Sequence, residues 1–198
     1  SPGIVCVSSF GFVNHANGGE EYFVNSIKNG VFFNGEIVSI YRDYFNFQKK
    51  NFAKFLDLVE VTAKDYPEKT ITYRCHPAEN RESLLQRFKS MDNVQFSIGG
   101  SIIPVLRGAE LVIHNYCHAG IEAQILGKKT FAMRYFKNPE IENEEVYKNS
   151  VSLDTVDEAR KEISRFICSL REKNDDIIYK VSQDFLVSDE MKMAVERF

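Results

Sequence analysis

The chain has 198 residues, of which 43% are hydrophobic and 27% are charged, and its formal net charge is −3 at pH 7. This composition is typical of a folded globular protein and excludes an intrinsically disordered chain. The slightly negative charge provides no attraction for a nucleic-acid backbone. No run of about 18 apolar residues is present, which excludes a helical membrane span of the usual kind.

The start of the chain and its cysteines indicate whether the chain is part of a longer protein and in which compartment it acts. Ser1-Pro2-Gly3 leads directly into an apolar run, without an initiator methionine or a signal-peptide pattern, so we interpret the chain as a piece of a longer protein. The four cysteines lie mostly within apolar patterns, which favours reduced thiols over a disulfide framework and predicts a cytoplasmic protein.

The first third of the chain predicts a strand, a loop and a long helix. Ile4–Ser8 is a compact β-branched run that predicts a buried strand. Ser9–Glu21 is rich in glycine, asparagine and aromatic residues and predicts a long loop, whereas Tyr22–Asn29 fits either a short helix or a part of this loop. Apolar residues three and four positions apart predict a helix over Asp43–Tyr66, which Pro67 ends.

The rest of the chain continues this alternation of strands and helices. In chain order, we predict the strand Thr70–Cys75, the helix Glu79–Lys89, the strand Asn93–Phe96, the helix Ile102–Arg107 after a turn at Gly99-Gly100-Ser101, the strand Leu111–His114, the helix Ala119–Leu126 ended by Gly127, and the strands Thr130–Met133 and Val151–Leu153. Asp154 is then expected to cap a helix with one apolar face, and the charged tail Asp175–Phe198 is expected to be helical.

Strands that alternate with helices at this spacing predict an α/β fold with a doubly wound, mostly parallel sheet. We expect one Rossmann-like domain over residues 1–174, followed by a helical tail over 175–198. In such sheets, ligands bind beyond the carboxyl ends of the strands. Polar side chains follow three of the predicted strands: Ser8-Ser9, His76 and His114-Asn115.

The stretch Leu111–Lys128 predicts an anion site. Its loop leads into a helix whose first N–H groups have no partner within the helix, and such a helix start attracts phosphate. The small residues Ala119 and Gly120 would let a phosphate approach, flanked by Cys117 and His118, and Glu122 in the first turn could accept from a ribose. Alternatively, Glu122 complements the helix dipole and the small residues pack on the sheet.

Two further strand ends could contribute to the same crevice. His76 directly follows a predicted strand, where it could donate to a phosphate oxygen or, alternatively, bond only to backbone. Ser8, Asn14 and His15 follow the first strand and could also reach the crevice, although Ser and Asn are ordinary loop residues.

Other chemistries fit the sequence less well. Cys75-His76 and Cys117-His118 offer four zinc ligands, but adjacent residues on an extended strand point to opposite faces, and the spacing matches no zinc pattern. There is no G-x-S-x-G elbow and no P-loop or G-x-G-x-x-G motif. We therefore predict no metal site and no bound cofactor.

At this point the residues resemble a known family. The runs TITYRCHPAE (70–79), HNYCHAGIEAQILGK (114–128) and VCVSSFGFVNHANGG (5–19) are similar to the C-terminal half of bacterial surface-carbohydrate biosynthesis proteins. These resemble GT-B glycosyltransferases, including the Kdo transferases of capsule and lipopolysaccharide synthesis and sialyltransferases with an HP motif. The chain departs from the family at His118, where small hydroxyl residues are favoured.

The resemblance implies a nucleotide-sugar-binding domain of a glycosyltransferase, with CMP or UDP as the nucleotide. His76 would contact the donor phosphate. From its place in the loop after the first strand, and not from the resemblance, His15 is predicted as the second catalytic residue. The residues expected to bind the nucleotide sugar are Ser8, Asn14, Ser101, His114, Asn115, Cys117, His118, Ala119, Gly120 and Glu122.

The resemblance also implies partners: a glycan acceptor, an N-terminal domain to which the tail would cross, and peripheral association with the inner face of the membrane. Two alternatives stay open at this point. One is a sugar-nucleotide epimerase on the same fold, and the other is a non-catalytic interaction module.

Overall fold

The computed structural model describes residues 3–30, 35–115, 117–137, 142 and 144–173. Its elements are, in chain order, β1 Gly3–Val7, α1 Gly19–Lys28, α2 Gly35–Asp65, β2 Ile71–Arg74, α3 Arg81–Phe88, β3 Val94–Ser97, α4 Ile103–Arg107, β4 Ala109–His114, α5 His118–Ile125, β5 Lys129–Met133, a 3₁₀ turn Glu144–Val146, β6 Val151–Leu153 and α6 over 156–173.

The strands form one six-stranded sheet in the order β3-β2-β1-β4-β5-β6, and every neighbouring pair is parallel. This is the order of the doubly wound Rossmann fold. The predicted fold class is therefore confirmed. The β-branched and apolar residues of β1 and β4 are almost completely buried, as expected of central parallel strands covered on both faces.

Each face of the sheet has its own core. On one face, Val5, Val7 and Val112 pack with Leu106 of α4 and with the small residues of α5. On the other, the fully buried ring of Tyr73 contacts Phe55 of α2, with ring centroids 6.2 Å apart. The small side chains of α5 let that helix lie close to the sheet, where it positions the loop after β4.

Several predicted boundaries differ from the observed ones. Tyr22–Asn29 lies mostly in α1, and α2 begins at Gly35, well before Asp43. The helix expected from Glu79 begins only at Arg81, because Asn80 is its cap and accepts from the Ser83 N–H at 3.2 Å.

Asp154 is not the cap of α6. The Thr155 hydroxyl accepts from the Glu158 N–H at 3.1 Å, and the Glu158 carboxylate accepts from the Asp154 N–H at 2.8 Å. The predicted cap was therefore one residue too early, because a hydroxyl at the residue before the helix is placed to bond the third helical N–H.

The chain divides into two compact units, Ser1–Ala159 and Arg160–Phe198. The sheet lies in the first unit. In the second unit, residues 160–173 are helical, and Ile163 and Ile167 are buried. The predicted tail, Asp175–Phe198, lies outside the described residues, so the division into 1–174 and 175–198 stays a prediction. Among the described helices, none is both long enough and apolar enough to cross a membrane.

Candidate functional site

The chain topology creates a crevice at the carboxyl edge of the sheet. The central strand β1 lies between β2 and β4, where the direction of strand succession reverses. The carboxyl edge at such a reversal is the usual ligand site of doubly wound sheets. The loops after β1 and β4 meet there, because the Ser9 N–H donates to the Asn115 Oδ1 at 3.0 Å. Asn115 itself is buried.

Glu79 joins the loops after β1 and β2. Its buried carboxylate accepts from the Ser8 hydroxyl at 2.8 Å, the Phe10 N–H at 3.0 Å and the His76 N–H at 3.1 Å. Burial raises the pKa of this carboxyl, and hydrogen bonds from these groups and from Asn14 oppose the shift. The Ser8 side chain, predicted to reach a ligand, is thus bonded to Glu79 within the protein.

Asn14 fixes the end of the same loop. Its amide donates to the Asn80 carbonyl at 3.2 Å, its Oδ1 accepts from the Ser83 hydroxyl at 3.0 Å, and its carbonyl accepts from the Asn80 N–H at 2.6 Å. The next residue, His15, forms an antiparallel bridge with Glu79. These bonds assign Asn14 a clear structural role, and its predicted contact with a ligand stays a prediction.

His76 and His15 are both placed near the crevice. His76 is exposed, and its Nδ1 accepts from the Ala78 N–H at 3.2 Å. His15 is half-buried, its Nδ1 accepts from the Asn17 N–H at 3.0 Å, and its ring stacks on Tyr22 with centroids 3.9 Å apart. In both residues Nε2 is therefore the ring nitrogen that remains to meet a ligand.

His114 has a different environment from the one we predicted. Its ring is completely buried, and its Nε2 lies 2.8 Å from the Ser150 Oγ. That hydroxyl also bonds to the Thr130 hydroxyl at 2.9 Å and accepts from the Gln124 amide at 2.9 Å. Its Nδ1 has no hydrogen-bond partner among the described residues. Burial lowers the His114 pKa from 6.5 to about 4, so the ring is neutral at pH 7.

The position of the His114 ring explains Gly120. A methyl group added at Gly120 would lie 2.5 to 2.7 Å from three atoms of this imidazole, closer than carbon and nitrogen atoms can pack. Ala119, for its part, belongs to the apolar core. Ala119 and Gly120 thus pack on the sheet, as the alternative interpretation of these small residues predicted. That they also let a phosphate approach stays a prediction.

We predict that Gly120→Ala destabilises the fold by about 1–3 kcal/mol, because the new methyl group and the His114 ring cannot occupy the same space. The matched control is Gly108→Ala at the end of α4, where φ is −76° and a methyl group would meet nothing closer than 3.7 Å. Urea unfolding followed by circular dichroism measures both. Equal stability of the two variants would contradict the prediction.

The start of α5 carries the other predicted contacts. Cys117 is the residue before the helix, and burial raises the pKa of its thiol. His118 is the first helical residue and is exposed. Glu122 lies in the second turn and not in the first, because the helix begins at His118. Its carboxylate is therefore farther from the helix start than the sequence indicated.

Arg74 organises the loop after β3. Its guanidinium donates to the Gly99 carbonyl at 2.5 Å, the Gly100 carbonyl at 2.7 Å and the Ser97 hydroxyl at 3.2 Å. The two glycines have φ values of 61° and 65°, which favour glycine. The following residue, Ser101, accepts from the Ile103 N–H at 3.2 Å, so its hydroxyl is bonded within its own loop.

Sequence reasoning missed Glu79 and Arg74 as organising residues. Glu79 was part of the motif that carried the family resemblance, but nothing in the sequence showed that its carboxylate would be buried beneath two loops. For the part of the chain that is described, no group of three His, Cys, Asp or Glu side chains is arranged to hold a metal ion.

The fold and the crevice define the class of this chain: an α/β domain with Rossmann strand order and a polar crevice at the strand reversal. No protein-family model and no curated protein matches it. Its structure is similar to the crystal structure of the Methanocaldococcus jannaschii UDP-GlcNAc 2-epimerase in complex with UDP-GlcNAc and UDP, at 14% sequence identity and a TM-score of 0.47. The match covers 84% of this chain and 38% of that one, so this chain spans well under half of the epimerase.

Proposed function

We propose that this chain is the nucleotide-sugar-binding domain of a glycosyltransferase that acts in the synthesis of surface polysaccharide. One observation carries the proposal: β1 ends between two sources of N–H donors, His76 after β2 and the start of α5 after β4. A nucleotide sugar carries phosphate at its centre, and fixed N–H donors on two sides of a crevice suit that group.

In the proposed complex, the His76 Nε2–H and the His118 N–H at the start of α5 donate to phosphate oxygens. The next two N–H groups of the helix are bonded to Cys117, that of Gly120 to its carbonyl at 2.9 Å and that of Ala119 to its thiol. The exposed His118 side chain adds a further donor, and Glu122 accepts from the ribose hydroxyls. As the bond to the sugar breaks, negative charge grows on the departing phosphate, and donors that are already in place stabilise it. This chemistry requires neither a covalent enzyme intermediate nor a metal ion.

The remaining parts of the proposal concern the whole protein. A glycan acceptor would bind between this domain and an N-terminal domain of the same protein, which would act in the cytoplasm at the inner face of the membrane. CMP and UDP are the nucleotides to test first, with GDP as the third.

We predict that His76→Ala weakens nucleotide binding about 10- to 100-fold, the loss expected when one hydrogen bond to a charged group is removed. Isothermal titration calorimetry with CMP, UDP and GDP measures this change. Lys64→Ala is the control, because it removes a cationic side chain at the end of α2, which precedes β2 and so lies at the opposite edge of the sheet.

The proposal would be refuted if none of the three nucleotides bound the wild-type chain, or if His76→Ala bound as tightly as Lys64→Ala. Product analysis with the full-length protein then decides the reaction. Transfer of the sugar to an acceptor supports a transferase, whereas a changed configuration within an intact nucleotide sugar shows an epimerase instead.

A further inference from the structure

The imidazole of His76 is held by its own loop. The Ala78 N–H donates to Nδ1 at 3.2 Å, so Nδ1 carries a lone pair and no proton. A neutral imidazole has one N–H, which must then be at Nε2. His76 is an exposed residue, and it lies two positions beyond the carboxyl end of β2, at the edge of the sheet that holds the crevice.

A glycine of the neighbouring loop makes room for this ring. A methyl group added at Gly11 would lie 3.1 Å from the His76 Nδ1 and 3.1 Å from the Ala78 methyl group. Both distances are shorter than ordinary van der Waals contact. Gly11 does not have a positive φ, so its backbone conformation does not require glycine. Glycine is required here because the His76 loop occupies the space that a side chain would need.

The two loops cannot easily separate to accommodate a larger residue. The Glu79 carboxylate accepts from both the Phe10 N–H and the His76 N–H, at 3.0 and 3.1 Å, and the Ala16 N–H donates to the Ala78 carbonyl at 2.9 Å. A side chain at position 11 would therefore displace the imidazole before it displaced the backbone.

From this geometry we propose that Gly11 is a positioning residue for His76, and that together they present a preset Nε2–H donor to an anionic oxygen of the ligand. The inference rests on the function proposed above and deepens it. It assigns His76 the role of hydrogen-bond donor and not that of general base, because its one available nitrogen already carries the proton. The matching ligand group is a phosphate oxygen.

The first experiment needs no variant and no ligand. Long-range ¹H–¹⁵N NMR of the wild-type chain at pH 8 reports which ring nitrogen of each histidine carries the proton. We expect His76 entirely in the Nε2–H form and a protected Ala78 amide in hydrogen exchange. A protonated Nδ1 at His76, or an Ala78 amide that exchanges as fast as an unstructured one, would overturn the inference.

The second experiment uses Gly11→Ala, with Gly108→Ala as the matched control. We expect Gly11→Ala to speed exchange of the Ala78 amide about tenfold and to weaken binding of the nucleotide found for the wild type about tenfold, because the donor is misplaced. Gly108→Ala should change neither.

The results separate the two claims. If His76→Ala weakens binding and Gly11→Ala does not, the positioning role of Gly11 is wrong while the proposed function stands. If His76→Ala leaves binding unchanged, the proposed function fails. The tautomer and the Ala78 exchange rates in the free protein still decide whether Gly11 holds the ring in place.

Discussion

Glu79→Ala is expected to lower the free energy of unfolding by about 3–5 kcal/mol, the largest effect of any substitution considered for this chain. The substitution removes the acceptor of the Ser8 hydroxyl and of the Phe10 and His76 N–H groups. The Ser8 and Phe10 donors would remain buried without this acceptor, and the two loops would lose their shared partner. Urea unfolding at pH 7 measures the change.

Glu79→Gln separates hydrogen bonding from charge. The Phe10 and His76 N–H groups both donate to Oε1, which the glutamine carbonyl replaces, while the glutamine amide can donate to the Ser8 hydroxyl. Because burial raises the pKa of Glu79 above its ordinary value of 4.5, the folded protein holds this proton more tightly than the unfolded chain. The stability contributed by the neutral form is present below pH 4.5 and is lost as the pH rises through the folded pKa.

We therefore expect the stability of Glu79→Gln relative to wild type to improve between pH 4 and pH 7, whereas Glu79→Ala is destabilised throughout. If Glu79→Gln were as unstable as Glu79→Ala at pH 7, the negative charge itself would be essential, and hydrogen bonding by Glu79 would not explain how the two loops are joined.

The buried His114 is expected to make the fold sensitive to acid. Its pKa is about 4 in the folded chain and 6.5 in the unfolded one, so between these values the unfolded state binds more protons. Stability is therefore fully present above pH 6.5 and falls as the pH is lowered toward 4. At about 1.36 kcal/mol per pKa unit, the loss attributable to this one ring is about 3 kcal/mol.

His114→Phe isolates this contribution, because it keeps a planar ring over Gly120 and cannot be protonated. Carboxylates also titrate in this range, so the informative quantity is the difference between the two proteins. We expect the wild type to lose about 3 kcal/mol more than His114→Phe between pH 7 and pH 4, measured by urea unfolding. Parallel stability curves for the two proteins would contradict a buried, neutral His114.

The sequence was sufficient to predict the parallel sheet, but not the side-chain contacts of the candidate site. Alternation of β-branched runs with helical periodicity reflects burial on both faces, and it predicted the parallel sheet well. The start of α2 was placed too late because its first turns carry exposed apolar side chains, with Ile40 61% and Tyr41 39% exposed, so no buried stripe marks them.

The roles of His114 and Glu79 depend on contacts between distant parts of the chain. The sequence does not distinguish a strand-end histidine that faces a ligand from one that packs against a glycine. For His114, the packing of α5 against the sheet determines that the ring lies against Gly120. Similarly, an acidic residue before a helix usually complements the helix dipole. Only the parallel register of β1 and β2, which pairs Val7 with Arg74, brings the Ser8 hydroxyl within reach of Glu79.

The central place of β1 also has a consequence for the order of folding. β1 comes first among the strands, whereas its two partners, β2 and β4, come much later in the chain. Cys6 of β1, for example, pairs with Ile113 of β4, so this edge of β1 stays unpaired until β4 is present. Such non-local parallel pairing slows folding. During synthesis, the most apolar strand therefore has an open edge until β4 has been made, and this is the interval in which aggregation through that edge competes with folding.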